Sequence, residues 1–167
     1  MVENLKNIIE ELSDQLETAE RYNLYWLKSD LALNLQMQES LNLAGIKTVN
    51  IGFEFAKKLS LQKASKFIGI EAHELLQNLI ENNSTLLNKL KIKTVALYNL
   101  GVLFEPDLEL DPSQIIKNLS KTTAIILLWE NLSDDNGNLF WDKAQPQYGF
   151  DFTDTNIREI KIHHEIQ

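Results

Sequence analysis

The chain has 167 residues, 44% hydrophobic and 24% charged, with a formal net charge of −8 and no cysteine. That length fits one domain, able to bury a core without metal or disulfide support. The missing cysteines exclude disulfides, thiolate metal sites and cysteine nucleophiles, and fit a reducing compartment.

The acidic balance repels phosphates, so direct nucleic-acid binding is disfavoured. The nearest basic grouping, Lys57, Lys58, Lys63 and Lys66, is mixed with apolar residues and reads as a solvated helix face. The first residues have neither the basic flank nor the apolar run of a signal peptide. The longest apolar stretch, Ala124 to Trp129, is too short to cross a bilayer. A cytoplasmic protein with no membrane partner is expected.

Residues 1–22 read as an amphipathic helix. Leu5, Ile8, Ile9, Leu12, Leu16 and Ala19 recur at helical spacing, with Glu10, Glu11, Asp14 and Glu17 mostly opposite. Its apolar stripe is expected to pack on its own domain, with a partner as the alternative. Leu24 to Leu27 is a buried strand. A helix follows from about Asp30, a capping residue, to Leu43, with Gly45 ending it. Thr48 to Ile51 is a second strand.

Helical spacing then runs from Phe53 to about Asn82, with a break near Ser60 or Gly69; Leu75, Leu76, Leu79 and Ile80 mark the buried face of its last part. Thr94 to Tyr98 is a third strand, and Glu105-Pro106-Asp107 a turn. Asp111-Pro112 opens a short helix with a favoured cap and proline at its first position, and Ile115, Ile116 and Leu119 form its apolar face. Thr123 to Trp129 is a fourth strand whose unbroken apolar run suits a parallel strand covered on both faces. Asp135-Asn136-Gly137-Asn138 signals a hairpin turn between Ile126–Trp129 and Leu139–Trp141. The tail, 151–167 with Tyr148 leading into it, reads as an edge strand or a short ordered arm.

Strands alternating with helices predict an α/β fold: a mostly parallel sheet with helices on both faces and a C-terminal hairpin, in one domain over 1–167. Function is then expected at the carboxyl ends of the strands. That edge comprises Lys28 to Leu31, Asn50 to Phe53, Asn99 to Gly101 and Glu130 to Leu132.

Three stretches carry a family resemblance: Thr48 to Leu59, Asn99 to Leu108 (with Leu103-Phe104-Glu105-Pro106-Asp107-Leu108), and Asp111-Pro112 with its helix to Ser120. With the strand ending at Trp129, they span about residues 24–150. The chain resembles P-loop nucleotide-binding domains, and among them the BrxF-type P-loop proteins of type 3 BREX bacteriophage-defence systems. The resemblance implies a P-loop-NTPase-like three-layer sandwich over 24–150 and a place in a multi-protein defence complex.

The departures from that pattern bear on the chemistry. A P-loop needs glycines after the first strand, so that backbone N–H groups wrap the phosphates, followed by Lys and then Ser or Thr for magnesium. Here Lys28-Ser29-Asp30-Leu31-Ala32-Leu33-Asn34 follows Leu27, with no glycine before Gly45. The third strand should end in an aspartate for the magnesium shell; Tyr98 and Asn99 stand there instead. Lys28, Ser29 and Asn99 are the candidate contacts should a nucleotide pocket exist, with a solvated lysine as the plainer reading of Lys28. No catalytic residue, metal ligand or cofactor is expected, and the chain reads as a degenerate NTPase, a pseudo-ATPase.

The remaining constellations have plain readings. His73 sits on a helix in a solvent-facing or helix-capping role, and the adjacent His163 and His164 point different ways. Asp134-Asp135-Asn136-Gly137 lacks the ligand spacing of a calcium loop. Glu105, Asp107, Glu109 and Asp111 alternate with apolar residues and form a solvated acidic edge, unless two of them are buried together for acid/base work. Trp129, Phe140, Trp141, Tyr148 and Phe150 should pack around the hairpin, and any exposed members would suit a protein interface. A non-catalytic accessory or regulatory subunit acting through protein contacts is expected. The alternative is a domain that binds a nucleotide or other small molecule without hydrolysing it.

Overall fold

Seven consecutive residues, Thr123 to Trp129, are all buried, and extended geometry sends their side chains alternately to opposite faces. Ile125, Leu127 and Trp129 enter one apolar cluster, while Ala124, Ile126 and Leu128 enter another. Two separate cores on two faces require a covering layer on each side of the sheet. This strand therefore lies in the middle layer of three.

The structure, a computed structural model, describes residues 10–16, 21–28, 34–59, 68–87, 90–134, 137–140 and 148–160. Helix α1 covers 10–16. There follow β1 (Leu24–Lys28), α2 (Asn34–Leu43), β2 (Thr48–Asn50), α3 (Ile51–Leu59), α4 (Ile68–Asn83), β3 (Thr85–Leu86) and β4 (Lys93–Tyr98). Two 3-10 turns, Gly101–Phe104 and Pro106–Leu108, lead to α5 (Pro112–Leu119) and β5 (Thr123–Trp129). The chain continues through β6 (Leu132–Ser133), β7 (Asn138–Phe140), β8 (Gly149–Asp151) and β9 (Arg158–Glu159).

The main sheet runs β2-β4-β5-β1-β9, all parallel, with β3 antiparallel on the start of β4. Its first face carries Leu24, Val95, Leu97, Ile125 and Leu127 and is covered by α3, α4 and α5 through Phe55, Leu76, Ile80, Ile115 and Ile116. Tyr25, Leu27, Ala96, Ile126 and Leu128 line the second face, under Leu12 of α1 and Met37 and Leu41 of α2. Burying each large aliphatic side chain here stabilises the fold by about 2 kcal/mol. The α/β class, the mostly parallel sheet and the helices on both faces match the sequence expectation.

Local chemistry fixes several boundaries. Asp111 Oδ1 accepts a hydrogen bond from Gln114 N at 3.2 Å, capping α5 ahead of Pro112. Gly45, at φ 89°, ends α2 in the left-handed conformation that glycine adopts at low cost. Leu12 is fully buried and Leu16 packs beside it, so the described part of α1 packs on its own domain.

Five details differ from the expectation. Helix α3 begins at Ile51, where a strand residue was expected, because Asn50 Oδ1 caps it by accepting from Phe53 N at 3.0 Å. Gly69 lies inside the first turn of α4, so of the two expected break points, Ser60 and Gly69, the second is not one; the first lies outside the described residues. The short β3, with no apolar alternation to announce it, follows α4 directly. The hairpin pairs β7 with β6 rather than with β5, whose two sides are already occupied by β1 and β4. The tail gives two strands: β8 joins the small antiparallel sheet β6-β7-β8, and β9 becomes the edge beside β1. Leu5, Ile8, Ile9, Ala19, Asp30, Ser60, Trp141, His163 and His164 lie outside the described residues.

Candidate functional site

Because β1, β2, β4 and β5 are parallel, their carboxyl ends share one edge, and the direction of the outgoing connections locates a crevice on it. The chain leaves β1 for α2 on the second face, whereas β2 and β4 lead to α3 and α5 on the first. What leaves β5 is the small sheet, whose Leu139 and Phe150 pack with the first-face cluster. The outgoing connections therefore diverge between β1 and β5, at the register pair Lys28 and Trp129. Lys28 and Glu130 are exposed there.

Trp129 fills the first-face side of this point. It is 1% exposed and meets Phe150 edge-on at 5.6 Å and Phe104 at 6.4 Å between ring centroids. Phe152 stacks on Phe150 at 5.1 Å. Phe104 comes from the Leu103-to-Leu108 stretch, whose two 3-10 turns bury Leu103 and Leu108 and leave Glu105, Asp107 and Glu109 exposed. That stretch packs as a plug with its acidic side chains outward. With Asp111 also exposed, the alternating carboxylates form the solvated edge and no buried acid/base pair. Of the aromatic group, Trp129 and Phe150 are core residues, Phe140 is half-buried and Tyr148 exposed.

The β2/β4 end of the edge is closed on itself. Asn99, at φ 54°, donates from Nδ2 to Asn50 Oδ1 at 2.8 Å, and its carbonyl accepts from Gly52 N at 2.9 Å. A Cβ on Gly52 would run into the Asn99 amide, so any other residue here would have to displace that amide. Asn99 thus engages the turn between β2 and α3, away from β1. Lys28 and Asn99 are two strands apart, about 10 Å at the usual strand spacing, with β5 between them. The structure does not bring these two candidates together. The third, Ser29, lies outside the described residues.

The other polar groups behave as expected. His73 is exposed on α4, and Lys57 and Lys58 are exposed on α3. Lys57 pairs with Glu54 at 3.6 Å and lies 5.5 Å from the ring centroid of Phe53; Lys63 and Lys66 lie outside the described residues. Asp134 accepts from Asn138 N and Asn138 Nδ2, each at 2.9 Å, which places its carboxylate in the hairpin. Among the described residues no cluster of three or more His, Asp or Glu side chains is arranged to hold a metal, and no helix is long and apolar enough to cross a membrane.

The edge and its connections define a parallel α/β domain with an aromatic plug at its switch point and an asparagine lock beside it. Compared with known proteins, the chain matches no family model, no curated protein and no solved structure. Asn50 and Gly52 are the residues of this edge whose role sequence reasoning missed. The signal available was an asparagine two residues before a glycine, at a strand-to-helix junction.

Proposed function

We propose that this chain is a non-catalytic P-loop-like domain that works through protein contacts, as an accessory or regulatory subunit. The resemblance to BrxF-type proteins makes a bacteriophage-defence assembly in the cytoplasm its setting. One observation carries the reading. Asn99 stands at the end of the third parallel strand, where a hydrolase would hold a magnesium-shell aspartate, and its amide is committed to Asn50. An uncharged side chain engaged in this way supplies no carboxylate to a divalent cation. The phosphate-wrapping glycines are missing from the sequence after β1 as well.

Isothermal calorimetry with ATP and magnesium, paired with a phosphate-release assay, tests it. Neither heat nor turnover is expected. Turnover would overturn the proposal, while saturable binding without turnover would favour a nucleotide-binding domain that does not hydrolyse.

A further inference from the structure

On the opposite edge of the sheet, where β1 and β5 begin, three cations surround one aromatic ring. The Arg21 guanidinium carbon lies 5.3 Å from the Tyr22 ring centroid, Lys117 Nζ 5.4 Å and Lys121 Nζ 5.9 Å. The arrangement is fixed from below. Asn23 N and Nδ2 both donate to the carbonyl of Ser120, at 2.8 and 3.1 Å, tying the segment before β1 to the end of α5. Lys117 and Lys121 follow from the α5 C-terminus, whose carbonyls attract positive charge; Arg21 arrives from a separate part of the chain. Lys117 also acts on Asp151, helping to hold that carboxyl below its ordinary range. Among the described residues no carboxylate comes within ion-pair distance of any of the three cations.

We infer that Arg21, Lys117 and Lys121, grouped around Tyr22, form a docking surface for an acidic segment of a partner protein. This rests on the protein-contact reading above and gives it a place on the molecule. Three like charges are gathered here on a chain of net charge −8, against the single carboxylate of Asp151 near Lys117, and such a grouping steers and orients an acidic partner. All three charges lie within 6 Å of one ring centroid, a compact grouping that suits a short acidic segment. A nucleic acid carries a continuous line of phosphates and calls for an extended basic stripe, and the acidic remainder of this chain would repel it. Arg21 and Lys121 are exposed and Tyr22 half-buried, so an approaching segment meets both the charges and an aromatic surface of the kind that anchors interfaces.

The test is fluorescence anisotropy of a labelled short peptide of alternating glutamate and aspartate, titrated with the full chain at low and at high salt. Saturable binding that weakens with salt is expected, with a loss of about tenfold or more in the triple variant Arg21→Gln, Lys117→Gln, Lys121→Gln. The pair Lys57→Gln, Lys58→Gln on α3 should bind like the unaltered chain. Should the triple variant fail to fold, Lys121→Gln alone replaces it, with about a threefold loss expected. Absent binding, equal binding by the patch variant, or tighter binding of a single-stranded oligonucleotide would each overturn the surface. ATP turnover would instead sink the proposed function, so the two failures are distinguishable.

Discussion

The side-chain amide of Asn99 donates to Asn50 Oδ1 at 2.8 Å, joining the carboxyl ends of two neighbouring parallel strands. The same oxygen accepts from Phe53 N at 3.0 Å. One atom thus caps a helix and ties two strand exits. Replacing Asn50 with alanine removes both bonds, and a loss of about 1–2 kcal/mol in urea denaturation is expected. Asn50→Asp, which keeps the accepting oxygen, should recover most of it; equal losses in both variants would show that the shared oxygen is unimportant.

Gly52 gives a sharper test of the same lock. An added Cβ meets the Asn99 amide and the Asn99 carbonyl behind it, at 3.2 Å. Gly52→Ala should therefore cost about 1–3 kcal/mol through forced displacement, well beyond what an unobstructed helix-start position would show. A Gly52→Ala variant as stable as the parent would mean that the amide moves aside freely.

The Asp151 carboxyl is held below its ordinary range, first by the Thr153 hydroxyl at 2.6 Å and next by the Thr153 N–H at 3.2 Å, with Lys117 adding a smaller pull. A carboxyl whose value falls on folding lends stability above its unfolded value and loses it as pH drops through the folded one. Asp151→Asn should then melt below the parent at neutral pH. The gap should close as pH falls below about 4. A gap that stays constant down to the acid limit would rule out this titration as its source.

Arg158 fastens the outer edge of the sheet. Its guanidinium donates to the Gln15 carbonyl at 2.9 Å and to the Tyr25 hydroxyl at 3.0 Å, so it holds α1, β1 and β9 together. Arg158→Met keeps the stem and removes these donors. Amide exchange at Ile160, whose N–H bonds the Trp26 carbonyl at 2.8 Å, should quicken on the order of tenfold. Unchanged exchange there would show that backbone pairing alone secures β9.

Periodicity made the layers legible. The unbroken run Thr123 to Trp129 and the helical spacing of Leu75, Leu76, Leu79 and Ile80 each reflect burial, which leaves a regular mark in the sequence. Asp111-Pro112 was readable because a cap acts within one turn. The Asn50–Asn99 bond spans 49 positions, and the grouping of Arg21 with Lys117 depends on how β1 and α5 meet, so no local pattern announces either. The hairpin partner was misplaced for a related reason. The turn signal was genuine, but β5 already had a neighbour on each side, and only the completed sheet reveals that.

Strand β1 pairs with β5 and β9 and with nothing nearer in the chain; the Arg158–Tyr25 contact alone spans 133 positions. During synthesis, Leu24 to Lys28 have neither of these strands to pair with until β5 has left the ribosome, and their second side stays open until Arg158 and Glu159 follow. Until those strands follow, the nascent chain carries an apolar strand with open edges, a template for pairing with other chains. The order of pairing therefore makes Leu24 to Lys28 the segment of this sheet with the longest wait for its neighbours.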